Sequence, residues 1–198
     1  MKVVGLCGGT GAGKGLVSAI FAEFGVVSID TDAVYHNMIS TDSKCAKELI
    51  LTFGDTIKAQ NGIDRRALRD IVFKSHDQLN LLNKITHKHI LADVKAKIQT
   101  LKEKGDCIGV LIDAPLLFES KFNDECDVTV CVIADNDIRL ERIIKRDGLT
   151  EAQAETRIRS QISNEQLMQM CDYCIENNSD INSLREKIFL LKTAIFDN

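Results

Sequence analysis

Residues Gly8-Gly9-Thr10-Gly11-Ala12-Gly13-Lys14 fit the spacing Gly-x-x-x-x-Gly-Lys of a phosphate-binding loop. Glycines in such a run let successive backbone N–H groups turn inward around an anion, and the positive end of a following helix adds to the attraction. Lys14 would then reach the β and γ phosphates of a nucleotide. Ser or Thr usually follows the lysine and touches Mg²⁺, but here Gly15 follows, and then Leu16. Thr10 and Ser18 lie too far along the chain to take that hydroxyl's place. Three carboxylates are candidates for the chemistry beside the loop. Asp30 and Asp32 follow an apolar run ending at Ile29, and Asp113 follows another ending at Ile112. A carboxylate there can orient or deprotonate an attacking hydroxyl, or hold Mg²⁺ through water. For Asp30, capping of the next helix is an equal reading.

Basic residues gather in two stretches. Arg65, Arg66 and Arg69 come with Lys74 close behind, and between 139 and 161 six basic side chains face four acidic ones. Arg139, Arg142 and Arg146 recur at helical spacing and so point to one side, where guanidinium groups can stabilise the spread charge of a phosphoryl group in transfer. For any single arginine, a solvated helix face with i,i+4 ion pairs is the simpler assignment. His87 and His89 are two apart, the wrong spacing for one helical face, although His87 could reach a ligand phosphate. Cys171-x-x-Cys174 has no second Cys/His pair at suitable spacing for the four ligands of a zinc site. Nor does that pair open a helix after a first strand, as a redox motif would.

These residues need a frame. Lys2 to Cys7 reads as a short buried strand, Leu16 to Phe24 as a helix ended by Gly25, and Val26 to Ile29 as a second strand. From about Ser40 to Lys104 the pattern is helical with charged faces, with a turn at Asn61-Gly62. Strands are expected at Ile108 to Ile112, Val128 to Ile133 and, weakly, Asp172 to Ile175. Helices are expected at Asp135 to Arg146 with Asp135 or Asn136 as cap, over roughly 150–170, and over 180–195. Strands alternating with helices argue for an α/β fold, a parallel sheet covered on both faces. In such sheets ligands collect at the carboxyl ends of the strands, so Asp30, Asp32 and Asp113 are expected to converge near the glycine loop.

The whole chain has 198 residues, 44% of them hydrophobic and 27% charged, which suits one globular domain able to bury roughly 70% of its unfolded surface. No apolar run approaches the ~20 residues that span a bilayer. The opening segment is too short and too soon broken by glycine for a signal peptide. Seven cysteines, an odd number, fit a reduced cytoplasmic protein better than a disulfide scaffold. Net charge −4 offers no global field for gripping nucleic acid.

Over essentially its whole length the chain resembles the dephospho-CoA kinase family. The resemblance is carried by Val4 to Lys14, by Ile29-Asp30-Thr31-Asp32, by Arg65-Arg66-Ala67-Leu68-Arg69 with Val72-Phe73, and by Leu82-Asn83-Lys84-Ile85-Thr86-His87. Its most distinctive part is Asp113-Ala114-Pro115-Leu116-Leu117-Phe118-Glu119. Arg142, Arg146-Asp147, Arg157, Gln161 and Asp172-x-x-Ile175-x-Asn177-Asn178 complete the order.

The resemblance implies a phosphate-loop NTPase core with a five-stranded parallel sheet and helices on both faces. One kinase domain over 1–198 would comprise a core at about 1–38, 105–140 and 171–198, a helical acceptor-binding region at about 39–104 and a lid at about 141–170. It implies ATP-dependent phosphorylation of the ribose 3′-hydroxyl of dephospho-CoA, the last step of coenzyme A biosynthesis, with Mg²⁺, in a cytoplasmic monomer or weak homo-oligomer free of nucleic acid and membrane. Asp32 would be the catalytic base, with Lys14 and Arg146 also catalytic. ATP would be held by Gly9, Thr10, Gly11, Ala12, Gly13, Lys14, Gly15, Leu16, Arg142, Arg146, Asn177 and Asn178. The acceptor would be held by Asp32, Arg65, Arg69, His87, Asp113, Leu117, Glu119 and Gln161, and the metal by Asp32 and Asp113 through water.

Three departures stand out: Gly15 replaces the family's Ser, Lys88 stands where Pro usually follows the histidine, and Ser179 replaces the Gly after the Asn pair. Adenylate kinases also carry Gly directly after the lysine, and their resemblance implies that water can complete the Mg²⁺ shell. A nucleoside or nucleoside monophosphate kinase is opposed by the Asp113–Glu119 heptapeptide. A GTPase-like switch is opposed because Asn83-Lys84-Ile85-Thr86 lacks the guanine-reading aspartate and Asp106-x-x-Gly109 precedes a strand. A nucleotide-binding protein without catalysis is the alternative that Gly15 motivates.

Overall fold

The structure, a computed structural model, describes residues 1–197. The chain divides into two compact units, one of Met1–Ile29 with the chain from Gly105 onward, the other of Asp30–Lys104.

In the first unit the five strands β1 (Lys2–Gly8), β2 (Val26–Asp30), β3 (Gly109–Asp113), β4 (Val128–Ile133) and β5 (Tyr173–Glu176) form a parallel sheet in the order β2-β3-β1-β4-β5. β1 is central, which explains why Val3 to Cys7 is an unbroken buried run: both faces of a parallel sheet are covered. Its register sets Leu6 beside Asp113 and Gly8 beside Val132, so the start of the glycine loop and the end of β3 share one edge. α1 (Lys14–Glu23) buries Val17, Ile20 and Phe21, each contributing roughly 1.5–3 kcal/mol. Past its end Gly25 takes φ +85°, which a side chain would resist, and its N–H bonds Ala22 O at 3.0 Å.

α6 (Asn136–Asp147), α7 (Glu151–Arg159), α8 (Asn164–Met170) and α9 (Ile181–Phe196) complete this unit. The charged stretch expected as one helical segment over 150–170 is two helices. Thr150 with Gln153 and Ser163 with Gln166 each form a reciprocal capping box, and the second box starts a new helix where a continuous one would have run through. Asp135 sits at the N-cap of α6 but makes no capping bond with its side chain. Its N–H instead donates to Asn178 Oδ1 at 2.9 Å.

Asp172 fastens the start of β5 to β4. Its Oδ2 accepts from Thr129 N at 2.8 Å and Thr129 Oγ1 at 2.7 Å, and these bonds hold its carboxyl below the usual carboxylate range. A depressed folded pKa means that the stabilisation is whole above the unfolded value, about 3.9, and is lost as pH falls through the folded one. Asp172→Asn should cost about 1–2 kcal/mol at neutral pH, read from the urea midpoint, and the deficit should shrink in acid.

The second unit is helical: α2 (Thr31–Ile39), α3 (Lys44–Phe53), a short 3-10 turn at Asp55–Ile57, α4 (Arg65–Val72) and α5 (His76–Lys104). Asp30, Ser43 and Asp64 cap the first, second and third α-helices with side-chain oxygens, which is why those helices begin where they do. Ile39, Leu49, Ile57 and Leu68 lie in its core. The Asn61-Gly62 turn is present, with Gly62 at φ +76°. Lys88 bonds Glu48 at 2.6 Å and His89 reaches the same carboxylate at 2.7 Å, which together hold that carboxyl below its usual range.

Candidate active site: the phosphate loop and its support

In each peptide group the C=O and the following N–H point in opposite directions, so whatever holds the carbonyls of the loop also aims its amides. Three consecutive carbonyls are held from behind. Thr10 O accepts from Arg139 Nε at 3.0 Å, Gly11 O from Arg142 at 3.2 Å, and Ala12 O from Asn177 Nδ2 at 2.8 Å and Arg142 at 3.5 Å. The amides of Gly11 and Gly13 in those same peptide groups therefore face the other way. Gly13, with φ +98°, hands the chain to α1, whose first N–H groups have no intrahelical acceptor. The result is a ring of donors at a helix N-terminus, an anion cradle.

Glycine is required here by packing as well as by conformation. A methyl at Gly9 would overlap the Arg139 guanidinium, and one at Gly11, where φ is +79°, would meet the Arg139 backbone. Gly11→Ala combines left-handed strain of about 1–2 kcal/mol with that overlap. It should weaken ADP binding about tenfold or more, measured by titration calorimetry, and lower the melting temperature.

Lys14 projects from the first turn of α1, and its Nζ lies 2.8 Å from Asp113 Oδ1, with both side chains largely buried. Four residues along the same helix face, Ser18 Oγ donates to Asp113 Oδ2 at 3.3 Å. Ser18, beyond the loop along the chain, thus shares a carboxylate with the loop lysine. Gly15 is exposed, and the space a side chain would fill there is open.

The sequence-named residues of this unit fall into distinct places. Gln161 Oε1 accepts from Thr10 N at 2.8 Å and from Arg139 at 3.2 Å, so it braces the loop tip. Arg142 spends its N–H groups on the carbonyls of Gly11, Ala12 and Asn177, behind the loop. Arg146 is exposed, touches Thr10 Oγ1 at 3.2 Å and pairs with Asp147. Arg146, and after it Arg157, hold the Asp147 carboxyl below its usual range. Asn177 is buried against the loop, whereas Asn178 anchors Asp135 N. Leu117, expected to touch the acceptor, is fully buried, and a methyl added at Gly5 would abut it, so it serves the core. Glu119 is exposed and lines a cleft with Gly8, Gly9, Pro115 and Gln161.

In the second unit, Asp32 is exposed in the first turn of α2, its amide bonded to Asp30 Oδ1 at 2.8 Å, so capping is what Asp30 does. Arg65 and Arg69 are exposed on α4, and His87 is half-buried on α5.

Arg139 supports the loop from a buried position, 2% exposed, that its helical spacing with Arg142 and Arg146 does not reveal. Cys171-x-x-Cys174 also gains neighbours from the fold. Cys7 Sγ is 3.5 Å from Cys171 Sγ, and Cys131 is paired in register with both Cys7 and Cys174. Against a lowering contact with Cys131, the Cys7 contact and burial push the Cys171 thiol up to about 12, and burial with the Cys131 contact pushes Cys174 up to about 12. No cluster of three or more His, Cys, Asp or Glu among the described residues is placed to hold a metal ion.

A central parallel strand, a glycine loop with its lysine on a helix N-terminus and an aspartate at the end of the adjacent strand together define a phosphate-loop nucleotide-binding protein. The family model for dephospho-CoA kinase matches residues 2–183. The dephospho-CoA kinase of Fusobacterium nucleatum is 40% identical over 189 residues, covering 95% of each chain. Two solved structures share the fold. A Thermus thermophilus protein has a TM-score of 0.82 at 24% identity, over 98% of this chain and 97% of its own. The dephospho-CoA kinase of Campylobacter jejuni has a TM-score of 0.71 at 23% identity with the same coverage. The chain belongs to the dephospho-CoA kinase family.

Proposed function

We propose that the chain transfers the γ-phosphoryl group of ATP to the ribose 3′-hydroxyl of dephospho-CoA, with Lys14 and the loop amides holding the ATP phosphates and Asp32 accepting the hydroxyl proton. As a member of its family the chain is a kinase that converts dephospho-CoA to coenzyme A, the last step of coenzyme A biosynthesis. The observation that carries the assignment of the loop is the set of tied-back carbonyls, which turns the amides of Gly11 and Gly13 the other way, toward an anion. Phosphoryl transfer asks for little covalent chemistry from the protein and much positioning and charge balance, which is what this loop and Lys14 can supply.

The donor set near Lys14 suits Mg²⁺, which is usually held by one or two carboxylates with phosphate oxygens and water. Asp113, its Oδ2 already accepting from Ser18, is the carboxylate on the loop side, and Asp32 is the second expected ligand, both through water. Bound there with ATP, the ion would neutralise charge on the β and γ oxygens. Arg146 balances charge from the lid at about 141–170, Asn178 lines the adenine side, and Arg65, Arg69, His87 and Glu119 orient the acceptor. The protein works as a cytoplasmic monomer or weak homo-oligomer; among the described residues no helix is long and apolar enough to cross a membrane.

The decisive experiment is coupled-assay turnover with ATP and Mg²⁺ on dephospho-CoA beside AMP. Turnover on dephospho-CoA alone supports this reading, and phosphorylation of AMP instead would replace it with a nucleotide kinase. ATP binding with neither acceptor reacting at any Mg²⁺ concentration would leave a binding protein. Gly15→Ser places the usual hydroxyl into open space. It should fold normally and lower the Mg²⁺ concentration for half-maximal activity several-fold, as a Mg²⁺ titration will show.

A further inference from the structure

Arg139 is almost fully buried, yet its partners are all neutral oxygens: Thr10 O at 3.0 Å, Gln161 Oε1 at 3.2 Å, Asn136 Oδ1 at 3.4 Å and Asn164 Oδ1 at 3.5 Å. Asn164 is itself oriented by donating Nδ2 to Ala134 O at 2.9 Å, which turns its oxygen to the guanidinium. Burial lowers the guanidinium's pKa, but an arginine keeps its charge at any physiological pH. Buried cations are ordinarily matched by a carboxylate. Neutral acceptors satisfy the N–H groups and leave the charge in place. That charge lies directly against the back of the loop, since a methyl at Gly9 would run into the guanidinium and its Nε donates to Thr10 O. In such partly desolvated surroundings a charge acts more strongly than it would in water.

We infer that Arg139 is a positioning residue that also keeps an unmatched positive charge behind the phosphate loop, and that this charge makes the site favour ligands in proportion to their phosphate charge. The inference rests on the reading that the loop holds the phosphates of ATP. A neutral donor could brace Thr10 O equally well; only a cation changes affinity according to the anion's charge. The unliganded protein bears the cost of the unmatched cation, and a bound triphosphate supplies the counter-charge.

The test is titration calorimetry of ADP and of a non-hydrolysable ATP analogue, at one ionic strength, into the wild type, Arg139→Lys and Arg139→Met. Arg139→Met should weaken the ATP analogue at least tenfold and ADP by clearly less, so that the ratio of the two affinities changes. Arg139→Lys keeps the charge without the fork and should restore that ratio, even with a lowered melting temperature. Equal loss for both nucleotides in Arg139→Met, or a lysine variant as impaired in the ratio as the methionine one, overturns the inference and leaves Arg139 a brace. If Arg139→Met does not fold, the lysine variant decides: a wild-type ratio supports the charge role and an altered ratio refutes it. A wild-type protein that binds neither nucleotide would sink the phosphate-loop reading itself, and the inference with it.

Discussion

Lys14→Met is expected to reduce kcat/KM for phosphoryl transfer by about 10³-fold or more, with most of the loss in kcat. The lysine stands at the first turn of α1, where backbone donors already face the anion site, and its ammonium is a mobile charge able to follow the phosphoryl group as charge shifts during transfer. In the unliganded protein the ammonium is held 2.8 Å from Asp113. Methionine matches the stem but removes that cation from Asp113, while the Ser18 contact remains. Arginine should not rescue, because its planar fork cannot replace a compact ammonium in a half-buried position. The check is steady-state kinetics with the melting temperature alongside. If Lys14→Met keeps more than a tenth of wild-type kcat, the lysine has no part in the transition state.

Asp32→Asn is expected to lower kcat by about 10²–10⁴-fold while the KM for ATP stays within about twofold. The side chain is exposed and the substitution is isosteric. The amide of residue 32, which Asp30 uses to cap α2, is untouched, so the helix should survive. The effect then reads proton acceptance by the carboxylate rather than folding. An Asp32→Asn protein with wild-type kcat would remove Asp32 from the role of base. Asp30→Asn, which keeps a capping oxygen, is the control expected to retain activity.

Local chemistry was legible from the sequence because its signals are short-range. An unbroken apolar run made β1, glycines spaced before a lysine made the loop, and Asp30 began its helix by bonding amides two and three residues on. The carboxylate at the end of β3 could be placed beside Lys14 because parallel sheets gather strand ends at one edge. What holds the loop could not be read that way. Thr10 is bonded to a guanidinium 129 positions away and Ala12 to an amide 165 positions away, and no local pattern links such pairs.

The tertiary structure alone decided which side of the loop each side chain serves. It set Arg142 and Asn177 behind the backbone, drew Gln161 to the loop tip and put Leu117 in the core. It also brought Ser18 to the carboxylate that Lys14 uses. The physical reason is that residue type fixes what a side chain can bond, whereas strand order and helix packing fix what lies within reach. An arginine on a charged helix has every local reason to face water, and Arg139 is buried because the carbonyl of Thr10 meets it there.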